Sequence, residues 1–189
     1  MANFKLLREQ IKSRLNNLSA ESRAISSQRI SQKIIQSPVF IRSQNIACYI
    51  PIEHEVNTWT IIKSIWDQGK NCYIPAFCPR DRYHLCFVKF VVGDKLLPVE
   101  KFKVLSPKII PERIIDPKKL DLVITPLVGF TSTGFRLGRG AGCFDRTFTF
   151  KKQTQSLSAP YLLGIGHTCQ QIDFVPNSWD MAMDEIVSA

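Results

Sequence analysis

Five of the chain's nine glycines fall within fourteen residues, in the run Gly129-Phe-Thr-Ser-Thr-Gly134-Phe-Arg136-Leu-Gly138-Arg139-Gly140-Ala-Gly142-Cys-Phe-Asp145-Arg146. Glycine lets a backbone turn tightly and bring its N–H groups close to a ligand. Three arginines and one aspartate share the segment, and the apolar run Leu122-Val-Ile-Thr-Pro126 leads into it. An N–H-rich, cationic loop following a strand suits a bound polyphosphate. The spacing matches neither the G-x-x-x-x-G-K-[ST] loop nor a G-x-G-x-x-G fingerprint, so the loop alone is a generic phosphate signal.

The elements around the loop must position it. Phe4, Leu7, Ile11, Leu15 and Leu18 step by three or four, which predicts a helix with one apolar stripe and a ridge of Lys5, Arg8 and Lys12 beside it. Ser19 is placed to cap a second helix that runs to about Gln36 and ends at Pro38. Asn45-Ile-Ala-Cys-Tyr-Ile50 reads as a buried strand stopped by Pro51. Asn57 caps a helix carrying Ile61, Ile62, Ile65 and Trp66, which Gly69 closes, and Cys72-Tyr-Ile is the next strand. His84 to Val92 is strand-like. Residues 93–120 read as loops with room for a short strand and helix. Leu122 to Thr125 and Leu162 to Ile165 are central strands, and Ile186-Val187 is an edge strand. Strand–helix–strand succession with continuously apolar strands predicts an α/β fold, a mostly parallel central sheet with helices on both faces. Ligands of such sheets bind beyond the carboxyl ends of the strands. Pro51 to Asn57 and Pro126 to Arg146 are therefore expected to share one crevice.

Composition narrows the class. At 189 residues, 44% hydrophobic and 22% charged, the chain is expected to form a single domain with a sizeable core. No apolar run reaches membrane-spanning length, and charges interrupt the N-terminal segment, so a cytoplasmic location and no membrane partner are expected. The six cysteines show no C-x-x-C pair and lie mostly in apolar runs, so they are read as reduced core residues. The net charge of +9 suits anionic partners. Residues 1–42 hold eight Lys/Arg against two Glu, yet their only aromatics are Phe4 and Phe40. Nucleic-acid modules interleave aromatics with basic residues on an exposed face, so no nucleic-acid partner is expected.

Arg136-Leu-Gly138-Arg139-Gly140-Ala-Gly142-Cys-Phe-Asp145-Arg146 resembles the R-L-G-x-G-x-G-[YF]-Y-D-R signature of the 5-formyltetrahydrofolate cyclo-ligases, also called methenyltetrahydrofolate synthetases. The resemblance extends along the chain. It takes in Lys5-x-x-Arg8, Ile50-Pro-Ile-Glu-His-Glu55-Val, the strand from Asp121 to Phe130, Gly164-Ile-Gly-His-Thr-Cys-Gln170 and Pro176-Asn-Ser-Trp-Asp180. It implies a three-layer Rossmann-like sandwich of the NagB/RpiA/CoA-transferase-like kind. It also implies an ATP- and Mg²⁺-dependent closure of 5-formyltetrahydrofolate to 5,10-methenyltetrahydrofolate, with release of ADP and phosphate. By the same resemblance Lys5, Arg8, Arg136, Leu137, Gly138, Arg139, Gly140, Ala141, Gly142, Cys143 and Phe144 bind ATP, with Arg136 and Arg139 catalytic. Ile50, Glu55 and Arg139 bind the folate, and Asp145 and Asp180 hold magnesium. A polyglutamylated folate and a monomer or weak dimer are expected. Cys143 stands where the family has an aromatic, Phe144 replaces a common tyrosine, and Ala141 a lysine or glycine.

Overall fold

The protein is described by a computed structural model covering residues 3–79, 81–100, 103–153 and 160–189. In chain order the helices are α1 (Phe4–Asn16), α2 (Ala20–Ile35), α3 (Pro38–Arg42), α4 (Trp59–Asp67), α5 (Cys143–Thr147) and α6 (Phe150–Gln153). The strands are β1 (Asn45–Ala47), β2 (Asn71–Cys78), β3 (Asp81–Lys89), β4 (Leu96–Val99), β5 (Val104–Pro107), β6 (Ile114–Ile115), β7 (Leu122–Pro126), β8 (Gly129–Phe130), β9 (Arg136–Leu137), β10 (Tyr161–Gly166) and β11 (Glu185–Ser188).

Seven strands form one sheet in the order β11-β10-β7-β1-β2-β3-β6. The five from β11 to β2 are mutually parallel, with Ile46 beside both Cys72 and Leu122, while β3 and β6 add antiparallel. Alternation along the strands sorts residues to two faces. Ile46, Cys72, Leu122, Ile124, Leu163 and Ile165 pack with Ile30 and Ile34 of α2, Phe40 of α3 and the isoleucines of α4. Ala47, Tyr73, Val123 and Leu162 face the other way, toward Cys143 of α5 and Phe148. Helices thus cover both faces of a mostly parallel sheet, as the strand patterning implies.

Local signals place the helix ends. The Asn3 side chain accepts from the N–H groups of Lys5 and Leu6, and Ser19 accepts from Ser22. Several boundaries differ from the sequence reading: β1 ends at Ala47 rather than Ile50, β2 runs on to Cys78, and β3 spans Asp81–Lys89 rather than His84 to Val92. Helix α2 stops at Ile35, and Pro38 opens α3 rather than ending α2, because proline's fixed φ and missing N–H suit a first helical turn. Thr58, not Asn57, takes the N-cap position of α4, and its hydroxyl donates to the Tyr49 carbonyl (2.7 Å) while Asn57 accepts from Trp59. Among its described residues the stretch after residue 93 holds the β4–β5 hairpin, β6 and 3₁₀ turns at Pro111–Arg113 and Pro117–Lys119, with no α-helix.

Two cysteines correct the all-reduced expectation. Cys78 and Cys86 form a disulfide across the β2–β3 hairpin, with a Cα–Cα distance of 5.3 Å. Their spacing of eight residues became a bond because the hairpin, with its irregular register at Phe77/Cys78, brings the two strands' residues within bridging range. Cys48 and Cys72 are buried thiols, and desolvation pushes the Cys48 thiol up to about 12.

Candidate active site

Because β1, β2, β7 and β10 run parallel, their carboxyl ends open on one edge of the sheet, and the two segments expected to share a crevice do so. The cleft has a cavity volume of about 190 Å³ and opens to solvent at its mouth. One wall is apolar: Tyr49 and Ile50 after β1, Ile74, Pro75 and Phe77 of β2, Leu85 of β3, Val104 and Leu105 of β5, and Leu127 after β7. The other wall is the glycine segment, contributing Arg136, Gly138, Arg139, Ala141, Gly142, Cys143, Phe144 and Asp145. Glu55 stands between the two walls.

Charges meet in pairs along this second wall. Glu55 faces Arg139 at 3.4 Å, with the carboxylate largely buried and the guanidinium nearly half exposed. Burial raises the Glu55 carboxyl above its ordinary range, against the opposing pull of Arg139 and of the Ile52 N–H. Arg136 pairs with Asp145 at 2.8 Å, both largely buried, and its guanidinium lies 5.1 Å over the Phe144 ring. The Arg136 Nε is buried without a protein partner. The other Asp145 oxygen accepts from the Met181 N–H (3.2 Å). Burial, then the nearby Glu55 charge, holds the Tyr49 phenol well above its usual range, so the ring presents a neutral hydroxyl, which donates to the Val56 carbonyl.

Packing behind the loop fixes where it starts. Helix α1 lies against the β8–β9 hairpin, burying Ile11, Leu15 and Leu137 together. A Cβ on Gly129 would overlap Ile11 Cδ1 and crowd the Gln170 carbonyl and Ile172, so any larger residue forces Ile11 to shift. Arg8 reaches from α1 to donate through Nε to the Gly138 carbonyl (2.8 Å) and lies over Gly140, whose φ of 108° belongs to glycine. The buried Gln170 amide donates to the carbonyls of Leu127 and Val128 (3.0 and 2.8 Å), holding the exit of β7.

Ten of the residues singled out from sequence line the cleft: Ile50, Glu55, Arg136, Gly138, Arg139, Ala141, Gly142, Cys143, Phe144 and Asp145. Arg8 and Gly140, in contact with each other, are not among the lining residues. Leu137 points into the apolar contact with α1. Lys5 is exposed on α1. Asp180 lies in a neighbouring hollow with Lys152 and Asn177, where it accepts from the Asn177 N–H (2.7 Å). It is adjacent in sequence to Met181, whose N–H reaches Asp145. Apart from Ile50, the sequence reading missed the apolar wall, above all Val104 and Leu105, because their stretch lacks a strong periodicity.

A family model described as the 5-formyltetrahydrofolate cyclo-ligase family matches residues 1–189. The chain belongs to this family. It is 32% identical over 186 residues to the mouse 5-formyltetrahydrofolate cyclo-ligase, covering 96% of this chain and 91% of that protein. It is 29% identical over 185 residues to the Haemophilus influenzae cyclo-ligase, with 95% and 96% covered. The fold is shared with the 5,10-methenyltetrahydrofolate synthetase of Aquifex aeolicus, at a TM-score of 0.79, 23% identity and 99% and 90% coverage. The Mycoplasma pneumoniae synthetase superposes with a TM-score of 0.74, at 24% identity and 98% coverage of both chains. Family membership makes the chain an enzyme, a ligase of folate one-carbon chemistry.

The cyclo-ligase cleft also bears on magnesium. Among the described residues no group of three or more His, Cys, Asp or Glu side chains converges as a metal cage. Magnesium characteristically uses one or two carboxylates together with water and substrate phosphates. Asp145 on the cleft wall, with lone pairs left on both oxygens, meets that requirement.

Proposed function

We propose that this chain closes 5-formyltetrahydrofolate to 5,10-methenyltetrahydrofolate at the expense of ATP, releasing ADP and phosphate. The observation that carries this reading is the Glu55–Arg139 pair: it joins an apolar wall suited to a flat ring system to a basic glycine loop suited to phosphates. Ile50 packs against the pterin, and the Glu55 carboxylate accepts from its N–H donors. Arg136, Arg139, Arg8 and Lys5, with the backbone of residues 137–144, hold the ATP phosphates by charge-assisted hydrogen bonds. The positive net charge suits both a triphosphate and a polyglutamyl tail. We read the enzyme as a cytoplasmic monomer or weak dimer.

The chemistry explains why one cleft must hold both substrates. An N-formyl oxygen is a poor leaving group because the amide is resonance-stabilised. Its attack on the γ-phosphorus breaks the bond to ADP and leaves the formyl carbon electrophilic, with phosphate as leaving group. N10 then attacks that carbon, the carbon–oxygen bond breaks as phosphate departs, and N10 gives up its proton. Phosphoryl transfer depends on alignment and on stabilising developing charge, which is the work of Arg136 and Arg139. When bound, magnesium held by Asp145 and Asp180 supplies neutralising charge to the phosphates.

The test is ADP production coupled to the ultraviolet absorbance of the methenyl product, with and without Mg²⁺. Arg139→Ala is expected to lower kcat by roughly 10²- to 10³-fold, the scale of losing one transition-state donor, with an unchanged circular dichroism spectrum. Parent-like turnover in that variant would remove Arg139 and the loop from the mechanism.

A further inference from the structure

The turn that presents Glu55 rests on a backbone conformation foreign to its residue type. Among the described non-glycine residues only His54 and Lys103 have positive φ, His54 at 68°. Glycine adopts this region freely, whereas a side chain brings Cβ too close to the following carbonyl. Such conformations persist where the surrounding structure forces them, and they gather at functional sites.

The forcing contacts are on both sides of His54. The Glu55 N–H donates to the Ile52 carbonyl (3.0 Å), and the Ile52 N–H donates back to Glu55 Oε2 (3.2 Å). This reciprocal pair spends one carboxylate oxygen on the turn and leaves Oε1 facing Arg139. Downstream, the Tyr49 hydroxyl donates to Val56, the Thr58 hydroxyl to Tyr49, and the Asn57 N–H to Ser27 on α2. With both flanks pinned, the chain must reverse within residues 52–55, and the left-handed His54 is the step that achieves it.

We propose that His54 is a positioning residue for the folate site, acting through its backbone to aim the Glu55 carboxylate at Arg139 and the pterin. The imidazole lies off the cleft lining, its Nε2 3.4 Å from the exposed Glu53. Its Nδ1 is buried without a partner, which defines the rival in which the ring itself acts. The role rests on the reading that the cleft takes the folate.

Three substitutions separate these roles. His54→Gly and His54→Asn keep the left-handed conformation accessible but remove the imidazole, and His54→Val, β-branched, disfavours it most. The valine variant is expected to raise KM for 5-formyltetrahydrofolate about tenfold, the penalty scale of a left-handed side chain. KM for ATP and kcat should move less than about twofold. The glycine and asparagine variants should match the parent. Equal losses in all three would assign the effect to the imidazole and overturn the proposal, as would a parent-like KM in His54→Val. If His54→Val does not fold, His54→Ala replaces it, with a smaller rise in the same direction. Amide hydrogen exchange of Ile52 and Glu55 in the ligand-free protein reads the turn without any turnover. Faster exchange is expected for valine and parent-like protection for glycine and asparagine, and protection retained in His54→Val refutes the backbone role. A parent inactive on 5-formyltetrahydrofolate would defeat the functional reading, and the exchange data would still decide the turn.

Discussion

Arg136 and Arg139 stand three residues apart in one motif, yet they occupy different electrical surroundings. Arg136 is 5% exposed against an Asp145 that is 16% exposed, whereas Arg139 is 46% exposed. Removing one member of a buried pair strands the other charge. Arg136→Met is therefore expected to lower unfolding free energy by about 3 kcal/mol in urea titrations. Arg139→Ala should leave the urea midpoint nearly unchanged, because solvent screens its pairing. Glu55 yields a pH prediction. Its raised folded-state pKa means the folded protein binds that proton more tightly than the unfolded chain, so its ionisation costs stability at neutral pH; the cost starts to fall as pH drops through the folded-state value and is gone below the ordinary carboxylate value of the unfolded chain. On the proposed function, accepting from pterin N–H donors needs the ionised form. The value of kcat/KM for the folate should thus fall on acidification with a midpoint above the ordinary carboxylate range. Glu55→Gln should abolish that limb, and Arg139→Ala should move its midpoint higher by removing the charge that favours ionisation. An acid limb unchanged in Glu55→Gln would exclude Glu55 as its source.

At the scale of elements, the close approach of α1 to the β8–β9 hairpin invites a paired substitution. Gly129→Ala places a methyl against Ile11 Cδ1, and overpacking of this kind costs about 1–3 kcal/mol. Ile11→Val deletes that same methyl, so the double variant should recover part of the lost thermal stability; additive losses would show that the crowding arises elsewhere, at the Gln170 carbonyl. The helices and central strands were legible in the sequence because burial imposes a period on each of them: Phe4 to Leu15 on α1, and alternate sorting of Ile46 and Ala47 on β1 and of Cys48 just after it. The β4–β5 hairpin was not. Leu97 and Leu105 are substantially exposed, so its side chains obey no single buried face, and its place over the cleft depends on contacts distant in sequence. Composition marked the glycine loop as a candidate phosphate element, and the structure puts it on the cleft wall. The direction of its arginines was not, because Arg136 turning to Asp145 depends on the start of α5. Arg8 was picked out, but its bond to Gly138 spans 130 residues and leaves no local trace.

For the molecule as a whole, the Cys78–Cys86 bond closes a short loop at one end of the sheet. In the chain-entropy account a loop of this size contributes about 2–3 kcal/mol by restricting the unfolded state. Reduction, or Cys78→Ser with Cys86→Ser, should lower Tm by about 5–10 °C, given the usual response of a chain this long. Calorimetry with and without reductant measures this, and an unchanged Tm would show that the bond adds nothing to global stability. The cleft's two walls have separate structural ancestry within the chain: the apolar side is supplied largely by β2, β3 and β5, the charged side by the segment after β7. That separation makes the scaffold modular for an engineer. On the proposed function, exchanging side chains on the β4–β5 hairpin should retune which flat heterocycle is accepted, while the glycine segment across the gap continues to operate on an unaltered fuel.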